Sequence, residues 1–249
     1  MSMSMMMKGT WLIWSLYTNW PNPNSGVYKV SQDWTSSVFS TPWQIWYWVV
    51  WTGSNIWVSS SLWKIIKIES DWTYTEYPHL VSVCWMAFDW TNIWTANNGN
   101  SISKITPSWT VTTYTWGLAN LYSIAFDWTN MWAVGQSQLV KITPAGTITI
   151  YASAFGTSDI AFDGTDMWVT SINNTTYYKC NLSWWITAFT LKTFYTGICY
   201  DGTYMWMKKT AWGFDRVDSL WNNTPFTSPL LSSGIDKICF DWTYVWAAH

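Results

Sequence analysis

Proton transfer in a catalytic site needs a group that titrates near the working pH and a partner within hydrogen-bond reach, and this chain offers few such groups. Among its 249 residues are two histidines, His79 and His249, and two glutamates, Glu69 and Glu76. His79 sits in "TEYPHLVSV", just beyond both glutamates, and His249 is the last residue. No acid–base pair stands out at a recognisable spacing. The four cysteines, Cys84, Cys180, Cys199 and Cys239, lack metal-ligand spacing. Cys199 and Cys239 recur at one strand position of adjacent repeats, so buried thiols are expected, with a disulfide left open for an exported chain. There is no G-x-S-x-G elbow, phosphate-cradling glycine loop or H-E-x-x-H motif. What remains is hydrogen-bonding chemistry. Asn97, Asn98 and Asn100 in "TANNGNS", Asn173 and Asn174 in "SINNTTYY", Lys208 and Lys209 in "MKKTAW", and His79 are the candidate binding residues. Amides there could bind a sugar or a peptide, although asparagine is also what a tight strand connection requires. No catalytic residue, metal ligand or cofactor is assigned.

The elements that would position these groups repeat six times. An anchor tryptophan recurs at Trp57, Trp94, Trp132, Trp168, Trp206 and Trp246, at intervals of 37, 38, 36, 38 and 40 residues by subtraction. A basic residue keeps step with it at Lys29, Lys67, Lys104, Lys141, Lys179 and Arg216. A period near 40 built only of short strands is the signature of a β-propeller. The unit from Leu121 to Ala152, "LYSIAFDWTNMWAVGQSQLVKITPAGTITIYA", reads as four strands in a meander separated by a D-x-T-N turn, a short connection and a Pro-Ala-Gly turn. The aspartates Asp89, Asp127, Asp163, Asp201 and Asp241 read as turn residues that accept backbone N–H groups. The aromatic before each turn and the tryptophan after it should fill the space between neighbouring units. The asparagine-rich segments and the basic "MKKTAW" fall on second-to-third strand connections, on one face with His79.

The fold class expected is therefore all-β, a single propeller domain over 1–249 with four-stranded antiparallel blades. The chain opens with the second half of a unit, "GVYKVSQDWTSSVFS", and ends with the first half of one, "KICFDWTYVWAAH". Pairing of these pieces would close six blades; a missing C-terminal piece would make seven. Charged residues are only 10% of the chain and the formal net charge is −2, against the basic face that nucleic acid demands. No apolar run is long enough to span a membrane. A monomer that binds a protein, peptide or glycan is expected. "MSMSMMMK" is not a recognisable signal peptide, yet an extracellular or cell-surface location is slightly favoured.

Tryptophan is out of proportion, at 26 residues against 13 glycines. After the turn aspartate, Gly164 and Gly202 stand where sister units have Trp90, Trp128 and Trp242. In the other turn, Gly146 aligns with Trp34, Trp72 and Trp109. Such turns need a positive φ, which glycine adopts freely and a bulky residue at a cost of roughly 1–2 kcal/mol. The expectation is that most of these tryptophans are glycines in the living organism, a bacterium reading UGA as glycine. The competing reading takes each indole literally, as an exposed surface for stacking on sugars.

With glycines restored, "NGNSISKITPSWTVTTYTWGLANLYSIAFDWTNMW" from Asn98 to Trp132 resembles the units of virginiamycin B (streptogramin) lyases and of NHL-type repeat proteins. The lyase resemblance implies elimination chemistry with a histidine acid or base and a Mg²⁺ near glutamate and histidine. The family's "LWFTE" strand reads here "IWTAN", "MWAVG", "MWVTS" and "MWMKK", without the glutamate. A non-catalytic binding module is thus the expected function, and a lyase with a relocated, Mg²⁺-dependent site the alternative. A structural surface-array protein is the third class.

Overall fold

The computed structural model of the chain describes residues 12–15, 26–30, 36–40, 46–52, 55–60, 64–69, 71, 73–78, 83–97, 100–115, 117–135, 138–152, 157–171, 175–183, 185–190, 195–209, 214–218, 222–226, 237–240 and 245–248. Every element among them is a β-strand. Five four-stranded antiparallel sheets follow one another along the chain. Their strands are β4 to β7 (Trp46–Trp51, Ile56–Ser60, Lys64–Ile68, Tyr74–Pro78) and β8 to β11 (Val83–Phe88, Ile93–Asn97, Ser101–Ile105, Val111–Tyr114). Next come β12 to β15 (Leu121–Phe126, Met131–Gly135, Gln138–Ile142, Ile148–Ala152) and β16 to β19 (Thr157–Phe162, Asp166–Ser171, Thr176–Asn181, Ile186–Thr190). The fifth sheet is β20 to β23 (Tyr195–Tyr200, Met205–Lys209, Phe214–Val217, Asn223–Phe226). Before them lies a three-stranded sheet, β1 to β3 (Leu12–Ser15, Gly26–Val30, Ser36–Ser40), and after them a pair, β24 and β25 (Lys237–Phe240, Val245–Ala248).

Within each sheet the strands pair strictly in chain order, so the meander read from the sequence is the fold. First strands neighbour the first strands of adjacent sheets, as β8 does β4 and β12, and β16 does β12 and β20. Among the described residues β1 pairs with β2 through Leu12↔Val30 to Ser15↔Val27, and β24 pairs with β25.

The hydrophobic core is divided among the seams between sheets, because a four-stranded sheet has two apolar faces and cannot cover either by itself. Trp94, Ala96 and Ile102 of the second four-stranded sheet pack on Leu121, Ile124, Met131 and Val140 of the third. Trp132, Val134 and Leu139 meet Ile160, Met167 and Tyr178 of the fourth, and Trp168 and Tyr177 meet Ile198, Met205 and Met207 of the fifth. Each seam thus receives an anchor tryptophan. Trp94 and Trp132 are fully buried and Trp57 and Trp168 nearly so. Burying such a side chain removes roughly 150–250 Å² from water, or about 4–6 kcal/mol at 25 cal/mol per Å².

The recurring aspartate and lysine serve these anchors. In each D-x-T-[ND]-like turn the aspartate Oδ1 accepts the backbone N–H groups two and three residues on, as from Thr129 at 2.8 Å and Asn130 at 2.5 Å to Asp127. Oδ2 accepts the anchor indole Nε1–H at 2.6 Å, in Asp89–Trp94, Asp127–Trp132, Asp163–Trp168 and Asp201–Trp206 alike. The in-step basic residue lies across the ladder, Trp132↔Lys141 for example, with its ammonium 5.3 Å from the indole centroid. The same stacking places Lys104 over Trp94 and Lys179 over Trp168, both at 5.3 Å. A cation on an aromatic face is attracted by the ring quadrupole, so the two interleaved sequence markers are two parts of one contact.

Candidate functional site

An antiparallel meander sends alternate connections to opposite edges. The Asp turns and the third-to-fourth turns share one edge, and the second-to-third and inter-sheet connections share the other. The candidate binding residues were placed on this second, connecting edge. Asn100 is there, exposed in a turn with φ +70°, and its Oδ1 accepts the N–H of Asn120 at 2.7 Å across the seam to the inter-sheet connection. That connection is also held by Gln138, whose Nε2 donates to Gly117 O at 2.6 Å and whose Oε1 accepts Ala119 N–H at 2.8 Å.

Three other candidates lie within strands rather than on connections. Asn97 ends β9 and is fully buried. Its Oδ1 accepts from Thr95 Oγ1 at 2.8 Å and its Nδ2 donates to Ser101 and Ser103, each at 3.0 Å, so the side chain binds its own sheet. Lys208 and Lys209 end β21, both half-buried. His79, Asn98, Asn173, Asn174 and His249 lie outside the described residues.

Lys209 leads to a polar cluster that sequence reasoning missed. Its Nζ is 2.5 Å from Asp215 Oδ1 on β22, with side-chain exposures of 15% and 4%. Asp215 Oδ2 also accepts from the Tyr195 hydroxyl and from Asn223 Nδ2 at 3.0 Å. Burial, then the hydrogen bond and charge of Asp215, push the Tyr195 phenol far above its ordinary value. It is therefore a fixed hydrogen-bond donor. By pairing register Asp215 occupies the place of Ser103, and Lys209 that of Asn97, whereas three sister sheets have Ile66, Val140 and Tyr178 where Asp215 stands. A charged residue at a position that three sister sheets fill with large side chains was the available signal.

A second missed residue, Asp159 on β16, ties three sheets together. Its Oδ1 accepts from Ser123 Oγ of the preceding sheet at 2.6 Å and from Ile160 N–H at 3.0 Å. Its Oδ2 accepts Ile198 N–H of the following sheet at 3.2 Å. In both clusters the buried carboxylate is held by partners within the protein, as burial of a charge requires.

Cys180 and Cys199 are buried, as expected, and burial pushes the Cys180 thiol up to about 11. Among the described residues no three His, Cys, Asp or Glu side chains converge as metal ligands. No described helix could cross a membrane.

No family model matches the chain, and no curated protein matches it. Solved structures do. Virginiamycin B lyase from Staphylococcus aureus superposes with a TM-score of 0.81 at 19% identity, over 92% of this chain and 85% of that one. A catalytically inactive variant of that lyase with quinupristin gives 0.82 at 18% identity, over 100% and 94%. The Cps50 (Swd1) beta-propeller domain from Myceliophteria thermophila gives 0.77 at 12% identity, over 96% and 89%. At such identities the likeness is one of fold, shared by proteins of different titles. By its strands, turns and seams the chain is an all-β protein of antiparallel four-stranded sheets, a β-propeller resembling virginiamycin B lyase.

Proposed function

We propose that this propeller is a non-catalytic binding module that presents its connecting edge to a protein, peptide or glycan. The observation that carries the reading is that every carboxylate among the described residues is engaged within the molecule. Asp89, Asp127, Asp163 and Asp201 hold turns and anchors; Asp159 and Asp215 bridge strands. Asp166 pairs with Lys179, Glu69 with Lys67 and Glu76 with Lys64. Asp71 and Asp218 close turns. A catalytic acid or nucleophile must be reachable by substrate, and these are committed to the scaffold. The connecting edge, by contrast, differs from sheet to sheet, as a recognition surface does. Asn100 and Lys208, together with His79, Asn98, Asn173 and Asn174 on the corresponding connections read from the sequence, are its contact residues. Neither a cofactor nor a second copy is needed for such binding, and an extracellular or cell-surface setting fits it. The gene, on this reading, is a bacterial one that uses UGA for glycine.

The lyase alternative is favoured by one observation: the lyase structures match over nearly the whole of both chains. Six blades closed by shared terminal strands are the ring first expected, and the pairing of β1 with β2 supports the seven-blade version. The experiment is a glycan and peptide array probed with the purified chain, run beside an elimination assay on a cyclic depsipeptide over a Mg²⁺ titration. Binding that is lost on Asn100→Ala with Lys208→Ala, without turnover, bears the module out. Mg²⁺-dependent ring opening overturns it.

A further inference from the structure

Five described residues other than glycine adopt a positive φ: Asn100, Asn120, Trp90, Trp109 and Trp128. Asparagine tolerates the left-handed region because its short amide hydrogen-bonds locally; tryptophan has no such compensation. The three tryptophans sit in two kinds of turn, and each kind also occurs in this molecule with glycine.

In the first kind, Asp89-Trp90-Thr91-Asn92 and Asp127-Trp128-Thr129-Asn130 match Asp163-Gly164-Thr165-Asp166 and Asp201-Gly202-Thr203-Tyr204. The aspartate N–H donates to the carbonyl three residues on at 3.1, 3.0, 3.1 and 3.1 Å in that order. The second residue has φ of 71°, 70°, 93° and 92°. Trp90 and Trp128 are 56% and 61% exposed, so their indoles gain little from burial in return.

In the second kind, Thr106 to Thr110 repeats Thr143 to Thr147. Trp109 N–H donates to Thr106 O at 2.9 Å as Gly146 N–H does to Thr143 O at 2.8 Å, with φ of 66° and 90°. Space matters here as well. A Cβ on Gly146 would come within 2.6 Å of the Tyr114 ring of the preceding sheet, which stacks on its own anchor Trp94. Tyr77 has the same place beside Trp57, and the Trp109 indole lies on it at 3.5 Å between centroids. The outer-strand tyrosine stacks on its own anchor at 6.0 Å in both sheets and lies against the next sheet's turn, so at Gly146 it leaves no room for a side chain. A third trade appears on the innermost strands, where Trp85 pairs with Ala96 as Gly197 pairs with Lys208, both at a bulge.

We infer that residues 90, 109 and 128, and by the same register 85, are glycine in the protein as its organism makes it, from UGA codons that the written chain renders as tryptophan. The anchors are tryptophan on opposite grounds: Trp94, Trp132, Trp168 and Trp206 each donate Nε1–H to an aspartate at 2.6 Å. Glycine at 90 and 128 removes two exposed indoles from the turn edge. This inference stands independently of whether the module binds a ligand or turns one over.

The test has two arms. Mass spectrometry of the protein isolated from its source should find glycine at 90, 109 and 128 and tryptophan at 94 and 132; tryptophan at the first three overturns the inference. In the chain as written, Trp90→Gly, Trp109→Gly and Trp128→Gly should each raise Tm, by about 2–8 °C, while Trp132→Gly lowers it steeply. A fall in all three comparable to that of Trp132→Gly would mean that those indoles are structural, and overturns the inference equally.

Discussion

At the turn edge of the propeller, four sheets repeat one contact to a tenth of an ångström, the anchor indole on its aspartate at 2.6 Å. At the connecting edge the corresponding places hold different chemistry in each sheet. Where Asn97 bonds to two serines, Lys209 pairs with Asp215, and sister sheets place Ile66 or Val140 at the partner position. The repeated edge is constrained because every seam needs the same plug. The varied edge closes no seam by itself, so its side chains are free to diverge. Stability should therefore be concentrated and uniform at one edge, individual at the other.

Removing an anchor breaks the repeated edge most severely. Trp132→Ala should cost about 3–5 kcal/mol in chemical denaturation, since a fully buried aromatic leaves a cavity and an unpaired Asp127. A much smaller loss would mean that the seams do not depend on these plugs.

The next effect tests the varied edge. Lys209→Met should cost about 3 kcal/mol by leaving Asp215 buried without its cation. Adding Asp215→Val, the residue type of its sister Val140, should restore most of that stability. Non-recovery in the double variant would show that this cluster is required by the fold rather than particular to one sheet.

Acid should weaken the repeated edge. Burial alone would raise the Asp89 carboxyl, but hydrogen bonds from Trp94 and Asn92 outweigh it and hold the group below its ordinary value of 3.8. A depressed folded value means that the contribution is fully present above 3.8 and is lost as pH falls through the folded value. The stability gap between the parent and Asp89→Asn should accordingly be constant at neutral pH and narrow below 3.8. A gap that instead widened in acid would contradict the assigned hydrogen bonds.

The smallest effect belongs to the stacked cation. Lys141→Ala should cost about 0.5–1 kcal/mol in urea titration, through the contact with Trp132 at 5.3 Å.

Periodicity made most of the scaffold legible. Strand order, the aspartate turns and the anchor tryptophans all rest on contacts within some 40 residues, so each leaves its mark in every repeat. The positions that need a positive φ were legible for the same reason, because sister turns carry Gly146, Gly164 and Gly202. The candidate site was less so. Asn97 looked like a loop amide, yet the strand extends through it and takes its hydrogen bonds. Lys208 and Lys209 likewise belong to a strand.

By itself the sequence determined a repeating all-β chain, the turn chemistry of its units and the residue that plugs each seam, because these depend on local spacing. Only the tertiary structure decided what the in-step lysines do, that Asp159 links three sheets, and that Tyr195, Lys209 and Asp215 meet. Those outcomes depend on which strands lie beside one another and on which faces are covered, a property of the assembled sheets that no single repeat encodes.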